Sequence, residues 1–230
     1  MSSKRTLFAI ALLLPIAFAQ QASAQAPKYD GNKLIFPDGF RTDWLFVGSN
    51  EGLQYKGEGA TLLKNGHPLT AARPQGAAPG GQGGPGGQGG GAPGPAPGPQ
   101  GAFHNVYITP DGYAGFRTSK TTFPDPTVLV IDIYGAQTKE PHDILSAGSF
   151  DGDQQGALVA VKDSTHPEGA GADKTDWTYY VFSADEIAKP GAAEPPSDVS
   201  LSVCAACHKK NGLVDNVWVQ FYPILRAVLK

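Results

Sequence analysis

The chain is poor in sulfur: one methionine, Met1, and two cysteines, Cys204 and Cys207, in 230 residues. Met1 falls in what reads as a removable leader, so the mature chain offers a metal no thioether. Net charge is low as well, with 18 Lys and Arg against 21 Asp and Glu. No basic excess suits nucleic acid or an anionic membrane. Apolar runs are scarce too: one stands out, residues 7–18, preceded by Lys4 and Arg5 and followed by Ala22-Ser23-Ala24. That is the pattern of a secretory signal peptide over residues 1–24, cut before Gln25. The run is short for a membrane span, and no cysteine follows it to carry a lipid. The expectation is an exported, periplasmic protein with no membrane anchor and no nucleic-acid partner.

Glycine and proline, by contrast, are in excess, and one segment accounts for it. Residues 74–101, "PQGAAPGGQGGPGGQGGGAPGPAPGPQG", are almost wholly Gly, Pro, Gln and Ala. Such a stretch buries too little apolar surface to offset its ordering entropy, which predicts disorder. Long flexible loops add little closure entropy. Residues 26–73 and 102–230 are therefore expected to fold as one domain, 25–230, interrupted by this insertion.

The two cysteines stand in "CAACH", residues 204–208. Two cysteines in an exported chain ordinarily imply a disulfide. Here they sit three apart with a histidine immediately after, the spacing of a c-type haem attachment. Both sulfurs can add to the vinyl groups of one haem, and His208 then falls beneath the iron as proximal ligand. A zinc site lacks the second ligand pair. A thioredoxin-like redox pair belongs early in a βαβ unit, not near a C-terminus. The cofactor expected is therefore a single covalent haem c, held by Cys204, Cys207 and His208.

With no methionine, the sixth position of the iron falls to a histidine or lysine, or stays open. His67, His142 and His166 lie in turn-like contexts and read as solvated loop residues. His104, in "AFHNVYI", shares an alternating strand face with Val106 and Ile108. It reads as a pocket residue, with direct ligation the alternative.

Strands are predicted at residues 43–48, 103–108 and 127–134, and again in "ALVAVKD" and "DWTYYVF". Thr109 and Pro110 begin a helix, and "SADE" at 183–186 is a capping box. Ser197 or Asp198 is expected to cap a helix running into the cysteine motif. "LVDNVWVQFYPILRAVL" is predicted to be an amphipathic helix, broken or kinked near Pro223. Successive strands without helical crossovers predict an α+β class, an antiparallel sheet with helices toward both ends of the chain.

The stretches "DWLFVG", "NVYITPDGYAGF", "FPDPTVLVIDIY", "WTYYVF" and "CAACHKKNGLVDNVWVQFYPILR" together resemble the cytochrome P-460 family, closest to its cytochrome c′-beta branch. The resemblance implies a homodimer with one five-coordinate haem c per subunit. In the hydroxylamine-oxidising members a lysine is linked to the porphyrin and a carboxylate stands over the iron. The matching positions are Ile131 and Leu158, both apolar, and a distal basic residue of the family matches His104. The resemblance thus implies a gas-binding site for nitric oxide or carbon monoxide, lined by His104, Ile131 and Leu158. The alternatives are an enzyme oxidising hydroxylamine or nitric oxide, through another nucleophile such as Lys120, and an electron carrier serving a periplasmic redox partner.

Overall fold

The computed structural model describes residues 26–51, 63–64, 67–68, 101–139, 141–142, 144–166, 177–196 and 204–230. The expected leader, nearly all of the Gly/Pro-rich segment and the helical lead-in from Ser197 or Asp198 lie outside them. In chain order the elements are β1 (Tyr29–Asp30), β2 (Lys33–Ile35), α1 (Phe40–Asp43), β3 (Leu45–Glu51), β4 (Leu63–Lys64), β5 (His67–Pro68), β6 (Ala102–Ile108) and α2 (Pro110–Ser119). Then come β7 (Thr127–Gln137), β8 (Phe150–Lys162), β9 (Trp177–Ser183), α3 (Ala184–Ile187), β10 (Ala193–Glu194), α4 (Ala205–Asn211) and α5 (Pro223–Val228). A 3-10 turn, Val219–Phe221, precedes α5.

The frame is a five-stranded antiparallel sheet in the order β3-β6-β7-β8-β9. The class is α+β, as the strand pattern predicts. β3 precedes the Gly/Pro-rich segment and β6 follows it, so the sheet closes across that segment. Its strands are rich in Val, Ile and aromatic residues, which suit a pleated surface covered on both sides.

Period-two alternation gives each face its own core. On one face Val128, Val130, Val159, Val161, Tyr180 and Phe182 are buried under Leu34, Phe36, Phe40 and Trp44. Phe36 meets Phe182 edge-on with ring centres 4.9 Å apart. Burying each of these large side chains is worth about 1.5–3 kcal/mol. Asp132, fully buried beside this core, accepts hydrogen bonds from Arg41 Nε at 2.6 Å, Arg41 Nη2 at 3.0 Å, Gln154 Nε2 at 2.6 Å and Tyr134 Oη at 3.0 Å. Its charge is thereby compensated, and α1 is tied to β7.

The opposite face carries Val106, Ile108, Leu129, Tyr179 and Trp177, packed with Phe116 of α2, Ala205 of α4, Val217, Val219, Tyr222 and Leu225. Register stacks its residues in rows: Ile108, Leu129, Ala160 and Tyr179 form one, and Val106, Ile131, Leu158 and Val181 the next. His104 pairs with Asn50 of β3 and Ile133 of β7 a further row along. At the β3 edge a bulge between Phe46 and Gly48 lets the start of α5 come close. A Cβ on Gly48 would stand 3.0 Å from Pro223 Cδ.

Two local expectations meet the structure differently. Thr109 precedes α2 with Pro110 in its first turn, but its hydroxyl accepts from Val128 N at 3.3 Å instead of capping the helix. The capping box at Ser183 and Glu186 is formed in both directions. The amphipathic helix expected over residues 213–229, broken or kinked near Pro223, forms only from Pro223 onward, as α5. Asp215 and Asn216 take left-handed backbone, at φ 48° and 60°, which ends any helix there. The segment becomes a turn bridged between Val214 and Val217, then the 3-10 turn, then α5. Leu213, Phe221 and Ile224 are accordingly exposed, whereas Val217 and Leu225 are buried.

Candidate functional site

Both cysteines and His208 lie at one end of α4. Cys204 immediately precedes it at the N-cap position, Cys207 stands one turn on, and both thiols are free. Positions three and four apart share a helix face, so Cys204, Cys207 and His208 lie on one face of α4. Burial pushes the Cys204 thiol up to about 11, with Cys207 beside it adding to the effect.

His208 is fixed from three directions. Its ring stacks on Trp218 at 5.1 Å and 19°, and Tyr179 of β9 packs against it at 4.8 Å, tilted by 52°. Nδ1 stands 2.8 Å from the carbonyl oxygen of Asn216. A carbonyl only accepts, so Nδ1 carries the proton and Nε2 keeps its lone pair. Burial lowers the pKa of the ring, opposed by that hydrogen bond, which favours the neutral form a metal requires.

Tyr179 places α4 on the face that carries His104, Ile131 and Leu158. Ile131 and Leu158 are direct cross-strand partners and half-buried. Ile131 packs against both the core beneath α4 and a small cluster of Ala102, Ile133 and Val181, which Leu158 also touches. His104 lies beyond, toward β3. Its Nε2 is buried and has no hydrogen-bond partner among the described residues, and burial lowers its pKa. Its neighbour Asn50 lies close to Tyr222, whose hydroxyl burial pushes up to about 12.

The other histidines divide. His142 is exposed. His166 is half-buried, stacked on Tyr29 at 3.8 Å and 3.2 Å from Asp163, so it is not the free loop residue its context predicts. The side chain of His67 lies outside the described residues. Lys120 is exposed at the end of α2 in left-handed backbone.

The Cytochrome P460 family model matches residues 94–219, more than half the chain. The chain belongs to the cytochrome P460 family. It is therefore a haem cytochrome by family. The matched span contains the whole "CAACH" stretch and the strands bearing His104, Ile131 and Leu158. The N-terminal elements up to β5 precede it, and β3 joins it through its pairing with β6. No curated protein matches the chain significantly. The residues present suit a haem: two free thiols one turn apart, and an imidazole whose outer nitrogen is already engaged and whose Nε2 is available to iron.

Tyr179, Trp218 and Asn216 were not among the residues the sequence singled out. The turn-forming pair Asp215-Asn216, shortly after the histidine, was the available signal for the carbonyl.

The burial of His104 has a measurable consequence. Its folded pKa is lowered, so the native state binds fewer protons than the unfolded chain once pH falls below the unfolded value of about 6.5. Stability contributed by neutral His104 is complete above that value and is lost as pH falls. Thermal unfolding at pH 7.5 and pH 5 should show a larger loss for the wild type than for His104→Leu. Equal losses would show that His104 is readily protonated in the fold.

Proposed function

We propose that this chain is a periplasmic mono-haem c-type cytochrome that binds small uncharged gases, nitric oxide above all. In this reading Cys204 and Cys207 bind the porphyrin covalently and His208 holds the iron. The observation that carries it is the hydrogen bond from His208 Nδ1 to Asn216, which commits one nitrogen and leaves the other for metal. When bound, the haem supplies an iron able to coordinate a diatomic gas.

The protein's part is to bind, orient and exclude. Trp218 and Tyr179 hold the plane of the His208 ring. The row Val106, Ile131, Leu158 and Val181 is aliphatic, so it offers an incoming molecule no hydrogen bond and favours uncharged ligands over anions. Neither Ile131 nor Leu158 can supply the amine for a porphyrin cross-link or the carboxylate for removing a proton from an N–O substrate. His104 Nε2 can give or receive one hydrogen bond at the border of that row. The homodimer and a periplasmic redox partner are carried with this reading.

Absorption spectra of the purified protein, oxidised and reduced, with and without nitric oxide or carbon monoxide, test it. The expected result is an ordinary haem c spectrum in alkaline pyridine, a high-spin resting form and uptake of either gas by the reduced form. Failure of the reduced protein to take up both gases would overturn the reading. A shifted pyridine spectrum would indicate a cross-linked porphyrin and favour oxidation of hydroxylamine.

A further inference from the structure

We propose that Lys162 and Asp215 form a positioning device for His208, setting the strength of the hydrogen bond that its Nδ1 donates to Asn216. The inference rests on the reading of His208 as an iron ligand.

Lys162 closes β8, and its side chain is only 9% exposed. Its ammonium lies 2.9 Å from Asp215 Oδ2 and 3.1 Å from Thr122 Oγ1. Asp215 Oδ2 also accepts from Phe123 N at 2.8 Å and Thr122 Oγ1 at 2.9 Å. Three segments thus converge on one carboxylate oxygen: the end of β8, the loop after α2 and the turn after α4. A buried ion pair seldom adds more stability than apolar packing of the same shape. Its place in the fold therefore needs another account.

That account lies in what the carboxylate anchors. Asp215 and Asn216 are consecutive non-glycine residues with left-handed backbone. Asp and Asn tolerate such backbone as single residues, but two in succession need support from their surroundings. Val217 N donates to Val214 O at 2.8 Å and closes the turn from within. The Lys162–Asp215 pair holds it from outside. The next carbonyl along, that of Asn216, accepts the hydrogen bond from His208 Nδ1. Outer partners of this kind fix the orientation of a ligating histidine and raise its basicity. Lys162 and Asp215 act here only through Asn216.

The test uses the haem-loaded full chain and the variants Lys162→Met, Asp215→Asn and Lys162→Arg. Asparagine tolerates left-handed backbone, so Asp215→Asn removes charge while keeping the turn accessible, and it serves if Lys162→Met does not accumulate. The readouts are the iron–histidine stretching frequency of the reduced protein and its reduction potential, neither of which measures activity. A slackened hydrogen bond makes His208 a weaker donor. The frequency should fall, and at fixed solution potential the ratio of oxidised to reduced protein should drop about tenfold, the low end of outer-partner effects. Lys162→Arg should restore both. Unchanged frequency and potential in Lys162→Met and Asp215→Asn, even with a lowered melting temperature, would overturn the proposal while leaving the haem reading intact. A wild-type protein without a histidine-ligated haem would overturn both.

Discussion

The double variant Cys204→Ala, Cys207→Ala is expected to yield a polypeptide from which haem is fully extracted by acidified organic solvent, whereas the wild type keeps its haem through the same treatment. Both sulfurs sit on the first turn of α4, on the face that also presents His208, and neither is engaged in a disulfide. Cys204 packs against the core that includes Ala205 and Tyr179, and Cys207 accepts a 3.4 Å hydrogen bond from Asn211 Nδ2. Each single variant should retain one thioether, so intact mass should still show one haem. The double variant should show none. The fold should survive, because Cys204 is a half-buried side chain whose truncation removes one sulfur from the core margin, at a cost below the 2–5 kcal/mol of a large buried aliphatic. The rival reading, a redox dithiol, expects a wild-type mass without haem that falls by two hydrogens on oxidation. That result would remove the basis of the proposed function.

How far the chain could be read in advance depends on the range of the interactions concerned. The cysteine motif and the capping box at Ser183 are local patterns, and both are legible because every partner lies within four residues. The long strands are legible from β-branched runs, and even the shared face of Leu129, Ile131 and Ile133 follows from alternation. That Ile131 meets Leu158 directly is a register fact, fixed by the pairing of β7 with β8. β1, β2 and β10 are two or three residues long and carry no periodicity to detect. Lys162 and Asp215 are separated by 53 positions, and nothing in either neighbourhood announces the other. The missed break after α4 has a different cause. Leu213, Val217, Phe221 and Ile224 have helical spacing, yet the chain forms a left-handed turn at Asp215-Asn216 instead. Burying His208 with its Nδ1 paired requires a carbonyl that a continuing helix would have used internally. The apolar count measured burial opportunity, and a polar requirement overruled it.

Gly212→Ala is expected to be among the most damaging single changes of a small residue in this protein. The backbone at Gly212 is ordinary, with φ −66° and ψ 125°, so left-handed strain plays no part. Space decides instead. A Cβ there would press on the carbonyl carbon of Asn216 and stand 2.7 Å from both Asn216 Cα and the His208 carbonyl oxygen. All three are backbone atoms, so no rotamer change relieves the clash. Either α4 tilts away or the turn at Asp215-Asn216 opens, and each movement separates His208 Nδ1 from its acceptor. Overpacking of this kind costs about 1–3 kcal/mol, and exclusively backbone neighbours place it at the upper end. The lost chain entropy of glycine returns only about 0.4–1 kcal/mol. The net loss should lower the melting temperature by about 4–10 °C at 2–4 °C per kcal/mol for a chain of this size, and the haem spectrum should change with it. Gly101→Ala is the control, because the nearest atoms its Cβ would meet among the described residues belong to the Glu51 side chain, with Cγ at 3.1 Å, which can swing away. Should Gly212→Ala melt like the control and keep the wild-type spectrum, the close approach of α4 to the Asn216 turn would be refuted, and with it the fixed orientation of His208.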